Sequence, residues 1–433
     1  MMQQELVVLL NGVVTGTVKQ DSRGRMMFAY SRDWQESESA YPLSLSMPLV
    51  QSTHGDDVIR AYMEGLLPDN EQVVRDWGRQ FGVSAQNPFS LLMHVGEDVA
   101  GAVQFVPPAR LENPALAAGG VEWLTDDEVE ERLRLLVADH SSWRISGDNS
   151  YFSLAGAQPK TALLWDGERW GLPSGNTPTT HILKPPAVNL EALAVNEHLC
   201  LRTAGALGLL AANSDVVRIG EQTAIVVERF DRIRMPESIL RIHQEDFCQA
   251  AGISPRIKYE AEGGPDAERV IQILRDHSSS PEKDVRTLIT SLGLHWALGA
   301  PDAHAKNYSV LIAPHGQVRL APLYDVVSVL PYPRQYHPAK VRLAMSIGGE
   351  YRMLYIRARH WDRLARSIGL EPEQVRRLLA GFISAIPEVV TAIAEDARQN
   401  GLDGDFVDTF EESVIGNANR CMRVLEDDTM TTD

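Results

Sequence analysis

Pro301-Asp-Ala-His-Ala-Lys-Asn307, the apolar run Tyr308 to Ile312, a turn at His315-Gly316 and the segment Leu320-Ala-Pro-Leu-Tyr-Asp325 form the stretch that decides how this chain is read. Asp302 and Asn307 share a short loop, and a hairpin from Tyr308 to Leu323 returns the chain so that Asp325 faces them. Two acids and an amide then converge from separated positions. Moving a γ-phosphoryl group needs such a set: one carboxylate orients the attacking hydroxyl, and a carboxylate and an amide oxygen hold Mg²⁺ against the phosphates. Asp302 fits the first role, Asn307 and Asp325 the second. Before the loop, Val285, Leu288, Ile289, Leu292 and Trp296 recur at the spacing of a buried helical stripe, a rigid base for the site. An Asp followed by Asn five positions later is weak evidence alone. The hairpin and the second Asp raise it above a polar loop whose side chains merely satisfy turn backbone.

Composition sets the outer bounds. With 433 residues, 44% hydrophobic and 23% charged, the chain is long enough for two or three domains with real cores. No run reads as a membrane span of about 20 apolar residues, and the start, Met-Met-Gln-Gln-Glu, has neither the basic beginning nor the apolar run of a signal peptide. The expectation is a soluble, cytoplasmic protein. Cys200, Cys248 and Cys421 lie far apart and read as core thiols, not as a disulfide or zinc set; the expected metal is oxygen-ligated Mg²⁺. A formal charge of −17 argues against a free-standing nucleic-acid binder, because phosphate contacts want a basic surface. Contact with DNA would be shared with a partner.

Along the chain, Leu6 to Leu10, Asn11-Gly12 and Val13 to Val18 predict a hairpin, since Asn-Gly supplies both positive-φ positions of a type I′ turn. Strands are expected at Met26 to Tyr30 and Val99 to Val106, with two helices over Val58 to Phe81 broken at Leu67-Pro68-Asp69-Asn70. Pro107 to Gly120 has the Pro, Ala and Gly content of a linker. Thr125-Asp-Asp-Glu128 is a capping box starting a helix to about Val137, and polar Ser141 to Ser150 follows. Small residues over Phe152 to Lys160 mark a loop that can approach a ligand closely, although it lacks Walker or kinase glycine spacing. Thr180 to Lys184 reads as a strand ending in Lys, the residue that meets α/β-phosphates in kinases. A helix over Leu190 to Leu207 carries Glu197, the candidate acid to steady that Lys, although Glu191 lies on the same helix and the plain reading of both is a solvated surface Glu. Strands at Asp215 to Ile219 and Thr223 to Glu228 lead into Arg229-Phe-Asp-Arg232, and His243 to Phe247 is expected to start a helix. Thereafter, apart from the hairpin, helices dominate: Trp361 to Ile368, Pro372 to Ile386, Val389 to Gln399 and Phe406 to Val424. Asp427 to Asp433 reads as a frayed end.

Six segments, in this order, resemble the HipA serine/threonine kinases, toxins of bacterial toxin–antitoxin systems: Ser153-Leu-Ala-Gly-Ala-Gln-Pro-Lys160, Thr180-His-Ile-Leu-Lys184, Glu228-Arg-Phe-Asp-Arg232, His243-Gln-Glu-Asp-Phe-Cys248, Asp302-Ala-His-Ala-Lys-Asn307 and Leu323-Tyr-Asp325. The resemblance covers nearly the whole chain. It implies an α+β fold: an N-terminal antiparallel β-rich subdomain over 1–110, a linker and helix over 111–147, a kinase-like nucleotide-binding lobe over 148–245 and a mainly helical lobe over 246–433. It makes Asp302 the catalytic base, Asn307 and Asp325 the Mg²⁺ ligands, and Lys184 a phosphate contact. ATP would also meet Ala155, Gly156, Ala157, Gln158, Lys160, His304 and Lys306, with Glu228, Phe230 and Tyr324 around adenine. Ser153 becomes an autophosphorylation site whose modification ejects the phosphate loop. The implied partners are a HipB-like helix-turn-helix antitoxin dimer, operator DNA reached mainly through it, and a protein substrate such as an aminoacyl-tRNA synthetase, whose phosphorylation halts translation and favours dormancy.

Two positions depart from the pattern: Pro159 stiffens the loop and removes an N–H, and Ala303 stands where Gly is expected. Two other readings stay open. A small-molecule or lipid kinase shares the Asp-x-His-x-x-Asn pattern but should show a basic or amphipathic membrane face. A catalytically dead scaffold of a repressor complex would not need Asp302, Asn307, Asp325 and Lys184 together.

Overall fold

The structure, a computed structural model, describes residues 4–112, 119–143, 152–186 and 190–426. Residues 113–118 of the proline- and alanine-rich linker, most of the polar stretch after His140 and the C-terminal tail lie outside these residues. Two compact units emerge, and neither is continuous in sequence. The first takes residues 1–185, 217–256 and 310–318, the second 186–216, 257–309 and 319–433.

The first unit contains the two larger sheets of an α+β fold. One has five strands in the order Thr53–His54, Met26–Tyr30, Val13–Gln20, Gln4–Leu10, Val103–Val106, all paired antiparallel. The expected Asn-Gly turn is there, with φ 51° at Asn11 and 78° at Gly12. The predicted strand from Val99 is shorter and starts at Val103, because Val99 and Gly101 turn their carbonyls to Arg229 and Arg232. The two early helices are Asp56–Gly65 and Glu71–Phe81, with Asn70 capping the second.

The second sheet has six strands, ordered Ser214–Ile219, Gln222–Glu228, His181–Lys184, Thr161–Trp165, Trp170–Ser174, Gly120–Trp123. Helix Asp126–Ala138 carries the predicted capping box at Thr125 and Glu128. Its Val129 and Leu133 pack with Leu163, Leu172, Leu183 and Val226, so a helix seals one face of this sheet. His243 to Phe247 corrects the sequence reading. His243–Asp246 is a strand and the helix begins only at Phe247, with Asp246 as its N-cap. The strand is buried despite its polar residues, and remote backbone meets part of their bonding: His243 Nε2 lies 2.8 Å from the Leu43 carbonyl, and Glu245 Oε1 accepts the Leu45 N–H at 2.7 Å.

The second unit is mainly helical. Helix Pro281–Leu298 lies in its core; Trp296 is 5.7 Å from Trp361 between ring centroids, and Leu379, Phe410 and Val414 are buried with them. The later helices are Ala358–Ser367, Pro372–Ile383, Ile386–Gln399 and Gly404–Glu426. Pro372–Gln399 is, by length and composition alone, apolar enough to cross a membrane, contrary to the expectation that no such run exists. The chain breaks it at Ser384 and Ala385, and both halves bury an apolar stripe that includes Leu379, Ile383, Ile386 and Val390. The sequence reading also missed helix Ala267–His277 and the antiparallel strand pair Arg342–Ile347 and Glu350–Arg352. All three cysteines are buried thiols outside any disulfide.

Candidate active site

In the second unit the Asp302–Asn307 loop starts from a defined helix stop. Gly299 ends helix Pro281–Leu298 with φ 61°, a left-handed position that suits glycine, and Pro301 prevents continuation. Asn417 donates to the Trp296 and Ala297 carbonyls at 2.9 and 2.8 Å, satisfying acceptors that a helix end leaves open. The Asp302 carbonyl then accepts the His304 N–H at 2.9 Å and Asn307 Nδ2 at 2.7 Å, so the loop closes on itself. With its nitrogen donating, the Asn307 amide is oriented and its oxygen is the atom left to meet a hard cation.

The Asp302 side chain is exposed, but it is positioned. Tyr259 donates its hydroxyl to Oδ1 at 2.9 Å, and buried His304 lies 4.0 Å from Oδ2. Tyr259 also meets the His304 ring edge-on at 5.0 Å. Nothing in the sequence marked Tyr259, since it lies 43 residues before Asp302 in no recognisable spacing. Tyr324 fastens the return segment by donating to the Lys306 carbonyl at 2.7 Å and lying 2.6 Å from Ser309 Oγ. Leu323 is held through Leu210 and Ala212. Asp325, the next residue after Tyr324, takes a left-handed backbone with φ 57°, which Asp tolerates better than most side chains. Predicted Asp302, His304, Lys306, Asn307 and Tyr324 therefore belong to one stitched loop, and Asp325 follows it directly. Glu197 is 1% exposed, so the solvated reading fails for it, whereas Glu191 is exposed. The neighbouring Asn196 amide clasps Ser328 through N–H and carbonyl at 2.9 and 2.8 Å, tying that helix to the segment beyond Asp325.

The first unit holds the remaining predicted residues. Lys184 ends an inner strand, opposite Ile225, and is 6% exposed. Glu228 lies opposite His181 and is exposed, lining a cavity of about 350 Å³ with Thr180, His181 and Arg234. Phe230 is half-buried. In the small-residue loop, Lys160 Nζ donates to the Ala155 carbonyl at 2.6 Å and Gly156 has φ 100°. A Cβ at Gly156 would come within 2.5 Å of that ammonium, so glycine lets Lys160 close the loop beside Ala157 and Gln158. Ser153 is fully buried: its hydroxyl donates to the Leu66 carbonyl at 2.8 Å, and its N–H to Asp98 O at 2.9 Å. Its partner is 87 residues away, not local turn backbone.

Behind these residues sits a buried charge cluster that the sequence did not reveal. Arg229 and Arg232 both reach Asp98 and Asp231, at 2.8 to 3.5 Å, and Arg241 lies 4.0 Å from Asp98. Asp98 also accepts from the Thr179 N–H and hydroxyl. Burial opposes ionisation of Asp98, but the three guanidinium charges outweigh it and hold the carboxyl well below its usual range. Removing one member would strand a buried charge. The cluster therefore fixes Glu228 and Phe230, its sequence neighbours, and the main chain leading into the Ser153 loop.

The donor set suits Mg²⁺. Asn307 and Asp325 would offer it hard oxygens, and the bond from the Asn307 amide nitrogen to the Asp302 carbonyl fixes which amide atom would do so. Among the described residues no group of three or more His, Cys, Asp or Glu is placed to hold a metal by itself, so phosphate oxygens would complete the coordination.

Residues 6–106 match the family model described as the HipA N-terminal domain, and residues 152–390 that of the HipA-like C-terminal domain. The serine/threonine-protein kinase toxin HipA of Shewanella oneidensis is 32% identical over 381 residues, 84% of this chain and 83% of that protein. Y4mE of Sinorhizobium fredii, provisionally named a kinase, is 35% identical over 95% of this chain and 97% of its own length. A solved complex of Shewanella oneidensis HipA, HipB and its operator DNA contains a chain that superposes with a TM-score of 0.83 at 28% identity, covering 97% of this chain and 98% of that one.

Proposed function

Because the chain belongs to the HipA family and is a serine/threonine protein kinase, we propose that it transfers the γ-phosphoryl group of ATP to a translation-related protein, such as an aminoacyl-tRNA synthetase, as the toxin of a toxin–antitoxin pair. The observation that carries this is the closed Asp302–Asn307 loop, with its carboxylate held by Tyr259 and its Asn307 amide nitrogen bonded to the Asp302 carbonyl.

Asp302 accepts the proton of the substrate Ser or Thr hydroxyl as that oxygen attacks phosphorus, and the tyrosine hydroxyl keeps the carboxylate aimed. Asn307 and Asp325 would hold Mg²⁺, which supplies charge neutralisation at the phosphates. Lys184, His304, Lys306 and the Ala155, Gly156, Ala157, Gln158 and Lys160 loop are the assigned phosphate-side contacts, with Glu228, Phe230 and Tyr324 serving adenine. The base contributes orientation and a place for the proton, and the basic contacts offset charge on the transferring group.

Ser153 is assigned as an autophosphorylation site. A phosphate there would add about −1.5 to −2 charge where the hydroxyl now sits fully buried, so the loop must leave to accommodate it. Mass spectrometry after incubation with Mg²⁺-ATP should find modified Ser153 in the wild type and none in Asp302→Ala. An unmodified Ser153 in protein that phosphorylates another target would remove this regulatory assignment.

A HipB-like antitoxin dimer is the expected partner, and the pair would repress its own operator. This is supported by the solved HipA assembly with HipB and operator DNA, and the −17 charge leaves most DNA contact to the partner. The cytoplasm is the proposed location. The decisive experiment incubates the purified chain with labelled ATP and a cell extract, beside Asp302→Ala. A labelled protein carrying phosphoserine or phosphothreonine, absent from the variant, is expected; label found only in small molecules or lipid would overturn the reading.

A further inference from the structure

Residues 331–367 depart from the rest of this acidic chain. They hold Arg334, Lys340, Arg342, Arg352, Arg357, Arg359, Arg363 and Arg366 against only Glu350 and Asp362, a local excess of six positive charges in a chain of net −17. All eight basic residues except half-buried Arg357 are exposed, whereas Asp362 is buried and pairs with Arg376 at 3.2 Å. Arg342 and Arg352 sit directly opposite each other across the two-stranded sheet, an arrangement that costs stability when the charges are alike. Each guanidinium lies over a tyrosine ring, Arg342 on Tyr351 at 4.9 Å and Arg352 on Tyr355 at 4.1 Å. Glu350 engages Arg352 at 2.9 Å. Arg334, Lys340, Arg342, Arg359 and Arg366 form no ion pair among the described residues.

This surface adjoins the catalytic base within the second unit. The Ala344 N–H donates to the Pro301 carbonyl at 2.7 Å, and Arg342 lies two residues further along the strand, about 7 Å at the usual rise. Glu260 closes the link. Its carboxylate accepts from the Ser346 N–H and hydroxyl and from the Tyr351 hydroxyl at 2.6 to 2.8 Å, and the preceding residue, Tyr259, holds Asp302. Glu260 is thus occupied by three donors, and it locks the ring beneath Arg342 to the segment that aims the base.

We propose that this surface docks an acidic stretch of the protein substrate, so that the kinase selects Ser or Thr flanked by Asp or Glu. The inference rests on the kinase reading and adds to it the class of acceptor sequence. Over the Tyr351 ring, Arg342 keeps its in-plane N–H edge available for bidentate carboxylate contact, whereas Arg352, over Tyr355, already gives its Nε and Nη2 edge to Glu350. Those same rings have a face covered by arginine, which disfavours the base stacking that single-stranded nucleic acid uses. The net negative chain repels an extended polyanion at long range, whereas a short acidic segment senses mainly charges within about 8–10 Å.

Fluorescence anisotropy and phosphotransfer with two peptides test the proposal on the full chain. One peptide carries Asp and Glu around a central Ser; the other has Asn and Gln in their place. The acidic peptide is expected to bind about fivefold tighter or better, with the preference shrinking as salt rises. Doubly substituted Lys340→Glu, Arg342→Glu should reverse the order toward a Lys-flanked peptide, with an unchanged melting curve verifying the fold. Equal binding of both peptides by the wild type, or a preference unaltered in the variant, overturns the dock even if phosphotransfer is active. Tighter binding of a single-stranded oligonucleotide that displaces the acidic peptide overturns it in favour of nucleic acid. Selective binding of the acidic peptide without any phosphotransfer would instead leave the dock standing and remove the kinase reading.

Discussion

Asp302 and Asp325 are both carboxylates of the second unit, yet their surroundings assign different consequences to losing them. Asp302 is exposed and accepts one hydroxyl, so Asp302→Ala should leave the melting temperature and ATP affinity nearly unchanged. Phosphotransfer should fall by about 10²–10⁴-fold; activity within threefold of wild type would remove the base assignment. Asp325→Asn keeps a side chain that tolerates the left-handed backbone, so it isolates the charge. Calorimetry should show weakened Mg²⁺-ATP binding with little loss of fold, and an unchanged affinity would exclude Asp325 as a ligand. The residues proposed for the chemistry lie in short segments whose spacing obeys local rules. Their supports do not: Tyr259 and Asn417 reach the site from distant segments, and no periodicity in the sequence announces either contact.

Among the elements, those with local signals were legible and those stabilised by tertiary contacts were not. The Asn11-Gly12 and His315-Gly316 turns and the Thr125 capping box formed as expected because their chemistry is complete within a few residues. His243–Asp246 defeated the reading because four polar residues in succession hide a buried strand whose partners are remote carbonyls and N–H groups. Its Glu245 yields a pH prediction. Burial pushes this carboxyl up to about 8, only partly countered by the Leu45 N–H and Ser44 hydroxyl, and Oε2 has no partner among the described residues. The folded chain therefore retains a proton that the unfolded chain releases near 4.5. Stability from this group is greatest at the acid end and falls as pH rises from about 4.5 to 8. Glu245→Gln should stabilise the protein at pH 8 by up to about 3 kcal/mol more than at pH 5, measured by urea unfolding. A pH-independent difference would contradict burial of an ionisable group there.

For the whole molecule, the α+β class could be read from sequence, but the way the chain is shared between units could not. Each unit draws on three separate segments, and linear patterns carry no sign of such returns. The buried Asp98 cluster makes this concrete. Residues 1–110 would keep Asp98 but lose Arg229, Arg232 and Arg241, leaving an uncompensated buried carboxylate, a defect worth about 3–5 kcal/mol. Expressed alone, this fragment should show no cooperative thermal transition, whereas co-expression with residues 111–433 should restore one. A sharp transition in the isolated fragment would show that its fold is independent of the cluster.

The buried thiols give each unit its own timekeeper. Cys248 belongs to the first unit, while Cys200 and Cys421 belong to the second; burial raises the Cys200 thiol far above its ordinary range and pushes Cys421 up to about 12. At neutral pH a thiol-reactive probe can therefore label them only during excursions that admit solvent. Residue-resolved labelling rates, compared with and without Mg²⁺-ATP, would read the breathing of each half separately, without introducing a reporter into either core.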